Sequence, residues 1–113
     1  MAKAISIWIS YDFGLKGDYN GLYTWLDNHK AAECGSNLAF FHFPTVLNGW
    51  DEICNELTKQ LTEFVKLSKS DRIYVVFKDY NLNVIKGKFI NGGRKQSPWE
   101  GYGKLSSAEN LDS

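Results

Sequence analysis

The sequence is poor in the residues that build disulfide frameworks and metal clusters. Its 113 residues include two cysteines and two histidines, and their spacing matches no metal-binding motif. A glycine-rich phosphate loop and a serine-based triad are also missing. The sequence thus carries no signature of a zinc protein, a phosphate-loop enzyme or a serine hydrolase. We expect Cys34 and Cys54 to be small buried residues.

Long apolar runs are absent as well. The first apolar stretch, from Ala4 to Ile9, is interrupted by Ser6 and followed closely by Asp12. It is too short to span a bilayer and too lightly flanked to act as a signal peptide. We therefore expect a cytoplasmic protein with no membrane partner.

Aromatic residues are plentiful. They make up 15% of the chain, in which 43% of residues are hydrophobic and 23% are charged. This balance is typical of a globular protein, and the length suits a single domain. So many aromatic side chains must either fill the core or form a surface that binds another molecule.

The net charge is zero, but the charge is unevenly distributed. Residues 1–57 carry a net charge of −4 and residues 58–113 a net charge of +4. The basic excess lies between Lys66 and Lys95, where eight basic residues accompany two acidic ones. This density occurs on nucleic-acid-binding surfaces and equally on ordinary solvated ones. The candidate nucleic-acid-binding residues are Lys78, Lys86, Lys88, Arg94 and Lys95.

Apolar periodicity predicts a strand and then a helix at the start of the chain. Between Ala4 and Tyr11 every second residue is an isoleucine, and the residues between the isoleucines point to the opposite side. This alternation is the period of a strand. Asp18 is placed to accept hydrogen bonds from the first amides of a helix that ends near His29.

The remaining pattern predicts four more strands, a second helix and a tail. Pro44 is expected to stop a strand that follows a tight turn, and Asn48 to cap a second helix that runs to about Lys66. From Asn91 onward, glycines and serines predict a tail without a core of its own. The further strands are predicted at residues 32–34, 38–43, 72–77 and 83–90.

This element order predicts an α+β domain of ferredoxin-like βαββαβ type. Two helices should cover one face of an antiparallel sheet, with the strand that ends at Asp12 in its centre, a fifth C-terminal strand and an irregular tail. Residues 1–90 form the domain in this prediction. Residues 91–113 are expected to be flexible or to dock on a partner.

The other face of the sheet should be open, aromatic and aliphatic. Trp8 points toward it, and the strand at residues 72–77 is apolar on both of its faces. An exposed patch of that kind usually marks an interface. The candidate interface residues are Trp8, Tyr74, Val76, Trp99 and Tyr102.

Asp12 is the candidate catalytic and metal-binding residue, because it lies where the central strand ends. A single carboxylate holds Mg²⁺ or Mn²⁺ weakly, so further oxygen ligands are needed. His42 cannot supply a ligand, since an antiparallel pairing places it near Ala4. At about 3.3 Å per residue of strand, that position is roughly 20 Å from Asp12. The alternative is that Asp12 caps the following turn.

The neighbours that can join Asp12 are few. A two-fold axis could bring up a second Asp12 from another copy of the chain. Within one chain the candidates are Ser10, Asp18, Ser36 and Asn37.

The start of the chain resembles a known family. The segment from Ile5 to Phe13 (ISIWISYDF), followed by Asp18-Tyr19-Asn20 and Leu22-Tyr23, is similar to the "SYD…Y..LY" beginning of certain small proteins. These are the ferredoxin-like CRISPR-associated proteins of the spacer-integration complex and, more closely, their stand-alone SinR-like relatives. The resemblance covers the element order from residue 4 to about residue 90.

The resemblance implies a homodimer in which open sheet faces pack together and each last strand joins the partner's sheet. Asp12 matches the aspartate that flanks the two-fold axis of the family. Some members are described as metal-dependent nucleases and others as structural holders of nucleic acid. The residues expected after the second strand are matched only by Ser36 and Phe40, which weakens the nuclease expectation.

The sequence thus predicts a homodimer that binds DNA or RNA, with weak or absent nuclease activity. No cofactor is certain, although Mg²⁺ or Mn²⁺ would serve a nuclease. One alternative is a single-strand binder of the RNA-recognition type, which displays aromatic residues on the two central strands. Another is an interaction module, for example from a phage, that acts within a larger protein complex.

Overall fold

The computed structural model describes residues 3–103 of the chain. It is an α+β fold with one five-stranded antiparallel sheet and two helices, as the sequence predicted, and it is compatible with a ferredoxin-like type of fold. The elements in chain order are β1 (Lys3–Asp12), α1 (Tyr19–Asn28), β2 (Ala32–Gly35), β3 (Leu38–Thr45), α2 (Trp50–Phe64), β4 (Arg72–Asp79) and β5 (Val84–Asn91).

The strands are arranged in the order β2-β3-β1-β4-β5. β1 is therefore the central strand, which confirms the prediction for the segment that ends at Asp12. Its two neighbours, β3 and β4, both run antiparallel to it, and β5 pairs with β4 of the same chain. As a result, the end of β1 lies beside the beginning of β4.

Period-two alternation gives the sheet one buried face. Ile5, Ile7 and Ile9 of β1 are almost fully buried, and the residues paired with them on β3 and β4 are equally inaccessible. Burial of each such side chain contributes about 1.5–3 kcal/mol. The neighbouring strands add Ala39, Phe41, Phe43, Ile73, Val75 and Phe77 to this core.

Each helix buries one apolar stripe against that face. Asp18 caps α1 as predicted, since its carboxylate accepts from the Gly21 amide at 3.0 Å. The same carboxylate accepts from the Lys66 amide at 2.9 Å, which ties the start of α1 to the end of α2. The buried helix residues are Leu22, Trp25, Leu26, Trp50, Ile53, Cys54, Leu57 and Leu61.

Two predicted boundaries are wrong. Pro44 does not stop β3, which continues to Thr45. β2 reaches no further along β3 than Phe40, so position 44 has a neighbouring strand on one side only. A residue without an N–H is tolerated there, because its nitrogen can point away from the pairing.

The cap of α2 also differs from the prediction. Gly49, and not Asn48, occupies the cap position. The Gly49 amide donates to the Glu52 carboxylate at 3.2 Å, while the Asn48 side chain accepts from the Lys3 ammonium. The Glu52 carboxylate thus satisfies an amide at the start of the helix.

The two cysteines differ in burial. Cys54 is buried in α2 as expected, but Cys34 is exposed on β2. β2 lies at an edge of the sheet and is only four residues long, so the helices do not cover it. The expectation for Cys34 is therefore wrong.

The segment after β5 forms turns. Trp99 and Tyr102 lie in this segment with most of their surface exposed, so neither is anchored in the core. The predicted tail extends beyond this segment, and its residues 104–113 lie outside the described residues. Between residues 3 and 103, no helix has the length and apolar character needed to cross a membrane.

Candidate functional site

Paired aromatic rings lie on the open face of the sheet. Trp8 and Phe40 are directly opposite each other on β1 and β3, with ring centroids 4.7 Å apart. Tyr74 and Phe89 form a second pair across β4 and β5, also at 4.7 Å. Trp8 keeps 41% of its surface exposed. The predicted aromatic and aliphatic character of this face is confirmed.

Polar residues extend the open face toward the start of β1. The Ser6 hydroxyl lies 3.2 Å from Nδ1 of His42. His42 pairs with Ser6, which is two residues further along β1 than the predicted neighbour Ala4. The wider prediction holds, because five residues of β1 still lie between Ser6 and Asp12.

Asp12 forms an ion pair with Arg72 at the other end of the same face. Oδ2 of Asp12 accepts from Nη2 of Arg72 at 2.6 Å and from Nε at 3.2 Å. These hydrogen bonds, helped by the positive charges of Arg72 and Lys95, lower the pKa of the Asp12 carboxyl below its usual value. The carboxylate is half exposed and ionised at neutral pH.

A pocket of about 280 Å³ opens beside this ion pair. We call it the arginine pocket. Two guanidinium groups line it, and that of Arg94 lies 5.9 Å from the ring centroid of Phe89. One carboxylate, one hydroxyl and two aromatic rings complete the lining. Its residues are Ser10, Asp12, Arg72, Tyr74, Phe89 and Arg94.

A second hollow adjoins the arginine pocket and shares both of its arginines. It is bordered by the segment from Arg94 to Trp99, which brings Lys95 and the exposed Trp99 ring to the same region. This segment lies beyond the end of β5. The open face therefore ends, on this side, at a border rich in positive charge.

The surroundings of Asp12 do not fit a divalent cation within one chain. One of its two carboxylate oxygens already accepts two hydrogen bonds from Arg72. The nearby positive charges would also repel Mg²⁺ or Mn²⁺. Within residues 3–103, no group of three or more histidine, cysteine, aspartate and glutamate side chains is arranged to hold a metal ion. The pairing of two Asp12 residues across a dimer axis stays a prediction.

The five predicted basic residues lie on different sides of the sheet. Lys86 pairs with the buried Phe77, and its ammonium lies 4.5 Å from the ring centroid of Trp50 and 3.1 Å from the Asp79 carboxylate. Lys86 and Lys88 thus point toward the helical side of the sheet.

The other three basic residues do not share that side. Lys78 lies on the open side, with its ammonium 5.0 Å from the ring centroid of Tyr80. Arg94 lines both hollows, and Lys95 lines the second one. The structure thus brings Arg94 and Lys95 together with Asp12, and it separates them from Lys86 and Lys88.

Arg72 is the partner of Asp12 that sequence reasoning missed. The four candidate neighbours were chosen from β1 and the two turns near it, and none contacts the carboxylate as Arg72 does. A signal was available in the sequence. An antiparallel pairing of β1 with β4 places the last residue of one strand beside the first residue of the other, here Asp12 beside Arg72.

Comparison with models of protein families, with curated proteins and with solved structures found no match to this chain.

Proposed function

We propose that the open face of the sheet binds single-stranded nucleic acid, either DNA or RNA. The observation that carries the proposal is the placement of two aromatic pairs and the arginine pocket on one exposed face. Aromatic rings on such a face accept unstacked bases, and nearby cations contact the phosphates.

The geometry favours a single strand over a duplex. The rings of Trp8 and Phe40 stand on the sheet surface, and the strand next to them carries Tyr74. Bases can stack on such rings only when they are not already stacked inside a helix. A duplex would therefore present its phosphates to the arginines and leave the aromatic rings unused.

The direct test measures binding of a fluorescent oligonucleotide of about 12 nucleotides, a length within the range that one small domain covers. Trp8→Ala should weaken binding by roughly 5- to 150-fold, since stacking of one base contributes about 1–3 kcal/mol. Phe64→Ala is the matched control, because Phe64 is similarly exposed but lies on α2.

Three outcomes would count against the proposal. They are failure of the single strand to bind, binding of the single strand no tighter than that of the duplex, and an equal loss of affinity in the two variants. Thermal unfolding of both variants checks that each is folded.

Self-association through the open face is a second candidate function. The observation that favours it is the apolar row formed by Trp8, Val76 and Gly87 across three adjacent strands. A homodimer of this kind is also what the family resemblance implies. Sedimentation equilibrium at tens of micromolar should then show a dimer that Trp8→Glu converts to a monomer. A monomeric wild type would rule this arrangement out.

The ferredoxin-like assignment and the likeness to CRISPR-associated adaptation proteins are part of this proposal. They imply a homodimer with weak or absent metal-dependent nuclease activity centred on a pair of Asp12 residues, whereas a larger protein complex belongs to the alternative of an interaction module. The test compares the wild type with Asp12→Asn in Mg²⁺ and in Mn²⁺. Equal background cleavage by the two proteins would remove Asp12 as a catalytic residue.

A further inference from the structure

We infer that the arginine pocket recognises a terminal phosphomonoester of single-stranded nucleic acid. The inference rests on the proposed function, because it names which part of the strand this end of the open face would hold. It concerns the pocket lined by Arg72 and Arg94, with Lys95 in the adjoining hollow that shares both arginines.

The charge of the site suits a terminal phosphate better than an internal one. Arg72, Arg94 and Lys95 contribute three positive charges, and Asp12 contributes one negative charge. A phosphomonoester carries about −1.5 to −2 at neutral pH, whereas an internal phosphodiester carries about −1. A site with an excess of two positive charges therefore matches the monoester.

The pocket lies at one end of the open face, where β1 ends and β4 begins. The hollow next to it shares Arg72 and Arg94 and is bordered by the segment from Arg94 to Trp99. A strand that crosses the aromatic pairs therefore reaches the two arginines at the edge of the sheet, where its end can be held. A strand that continues into the adjoining hollow would instead place an internal phosphate between the arginines, and the competition between oligonucleotides with and without a terminal phosphate distinguishes the two.

Donors for the phosphate remain although Arg72 is paired. A guanidinium group carries five N–H donors, and the ion pair with Asp12 uses the one on Nε and one of the two on Nη2. Arg94 lies against the Phe89 ring and has no role in any strand pairing. The Ser10 hydroxyl and the Tyr74 side chain add neutral polar groups to the lining.

The experiment is a competition between unlabelled oligonucleotides of one sequence and a labelled oligonucleotide with hydroxyl ends. The competitors carry a 5′-phosphate, a 3′-phosphate or no terminal phosphate. We expect one phosphorylated end to compete about 10-fold or more better than the hydroxyl form, as charge-assisted hydrogen bonds would provide. Which end it is identifies the polarity of the bound strand.

Arg94→Gln should weaken the binding of the phosphorylated form far more than that of the hydroxyl form, so that the preference for a phosphorylated end is lost. Lys59→Gln on the exposed surface of α2 removes the same charge elsewhere and should keep the preference. Equal competition by all three oligonucleotides would overturn the inference, and the proposed function would stand if Trp8→Ala still weakened binding. Failure of the labelled oligonucleotide to bind at all would overturn both.

Discussion

Arg72 and Asp12 are paired across neighbouring strands, with Nη2 of Arg72 2.6 Å from Oδ2 of Asp12. The pair exists because β1 ends where the antiparallel β4 begins. It places a carboxylate inside the only strongly basic corner of the open face that the described residues form. An anion that enters the arginine pocket therefore shares Arg72 with Asp12 and is repelled by the Asp12 carboxylate.

Asp12→Asn should strengthen the binding of single-stranded nucleic acid. The change removes a negative charge that repels phosphate and releases the Arg72 guanidinium. A charge about 4 Å from a phosphate in an aqueous environment is worth on the order of 1 kcal/mol, which corresponds to about a 5-fold gain in affinity. Fluorescence anisotropy at low salt measures the gain.

The opposite result would identify a different role for Asp12. A clear loss of affinity in Asp12→Asn would mean that the carboxylate itself contacts the ligand. Arg72→Gln provides the matched comparison, since it removes the cationic member of the same pair. Its affinity should fall while that of Asp12→Asn rises.

The Asp12–Arg72 pair should also make a small contribution to stability that depends on pH. The pKa of Asp12 is lowered in the folded protein, so the contribution is present above its unfolded pKa of about 3.8 and is lost as the pH falls through the folded value. Because the carboxylate is half exposed, the ion pair contributes no more than about 1 kcal/mol to the free energy of unfolding.

Thermal unfolding of the wild type and Asp12→Asn at several pH values measures this contribution. The difference in melting temperature should be present at about pH 6 and should shrink below about pH 4. A difference that stays constant over that range would assign the effect to packing instead of charge.

The sequence was sufficient to predict the elements with strong local signals. Isoleucines at every second position predicted β1, and Asp18 predicted the start of α1, because a strand period and a capping carboxylate act within a few residues. The two wrong boundaries depended on their surroundings. Whether Pro44 ends a strand is decided by how far β2 extends along β3, which no local pattern records.

The candidate site was harder to predict because it is assembled from distant segments. Asp12 and Arg72 are 60 residues apart in the chain and meet only through the register of β1 and β4. The basic residues were grouped by their closeness in sequence. Alternation along β5 instead directs Lys86 and Lys88 toward the helices, away from Arg94.

The two cysteines should react at very different rates. Burial raises the pKa of the Cys54 thiol to about 11, so almost none of it is thiolate at about pH 8. Cys34 is exposed on the short edge strand β2. An aromatic disulfide reagent should modify one thiol per folded chain quickly and both thiols after denaturation.

Cys34→Ser is the control for that assignment. It should abolish the fast reaction of the folded protein and leave one thiol that reacts only on unfolding. Fast modification of the remaining thiol would mean that α2 opens far more readily than its buried stripe predicts.

The last prediction concerns the two sides of the sheet. If the open face holds the nucleic acid, Lys78→Gln should weaken binding more than Lys88→Gln, because Lys78 points toward that face and Lys88 toward the helices. Each phosphate contact to a single strand adds about −0.7 to the slope of log affinity against log salt concentration. Titrations between about 50 mM and about 200 mM salt measure the slope for each variant.

The two lysines form a matched pair, since each substitution removes one positive charge and they lie on neighbouring strands. A change in slope for Lys78→Gln alone would support binding on the open face. A change for Lys88→Gln alone would move the binding surface to the helical side, where Lys86 also lies. Equal slopes in both variants and the wild type would exclude both lysines from phosphate contact and would leave Arg72, Arg94 and Lys95 as the cations that bind the strand.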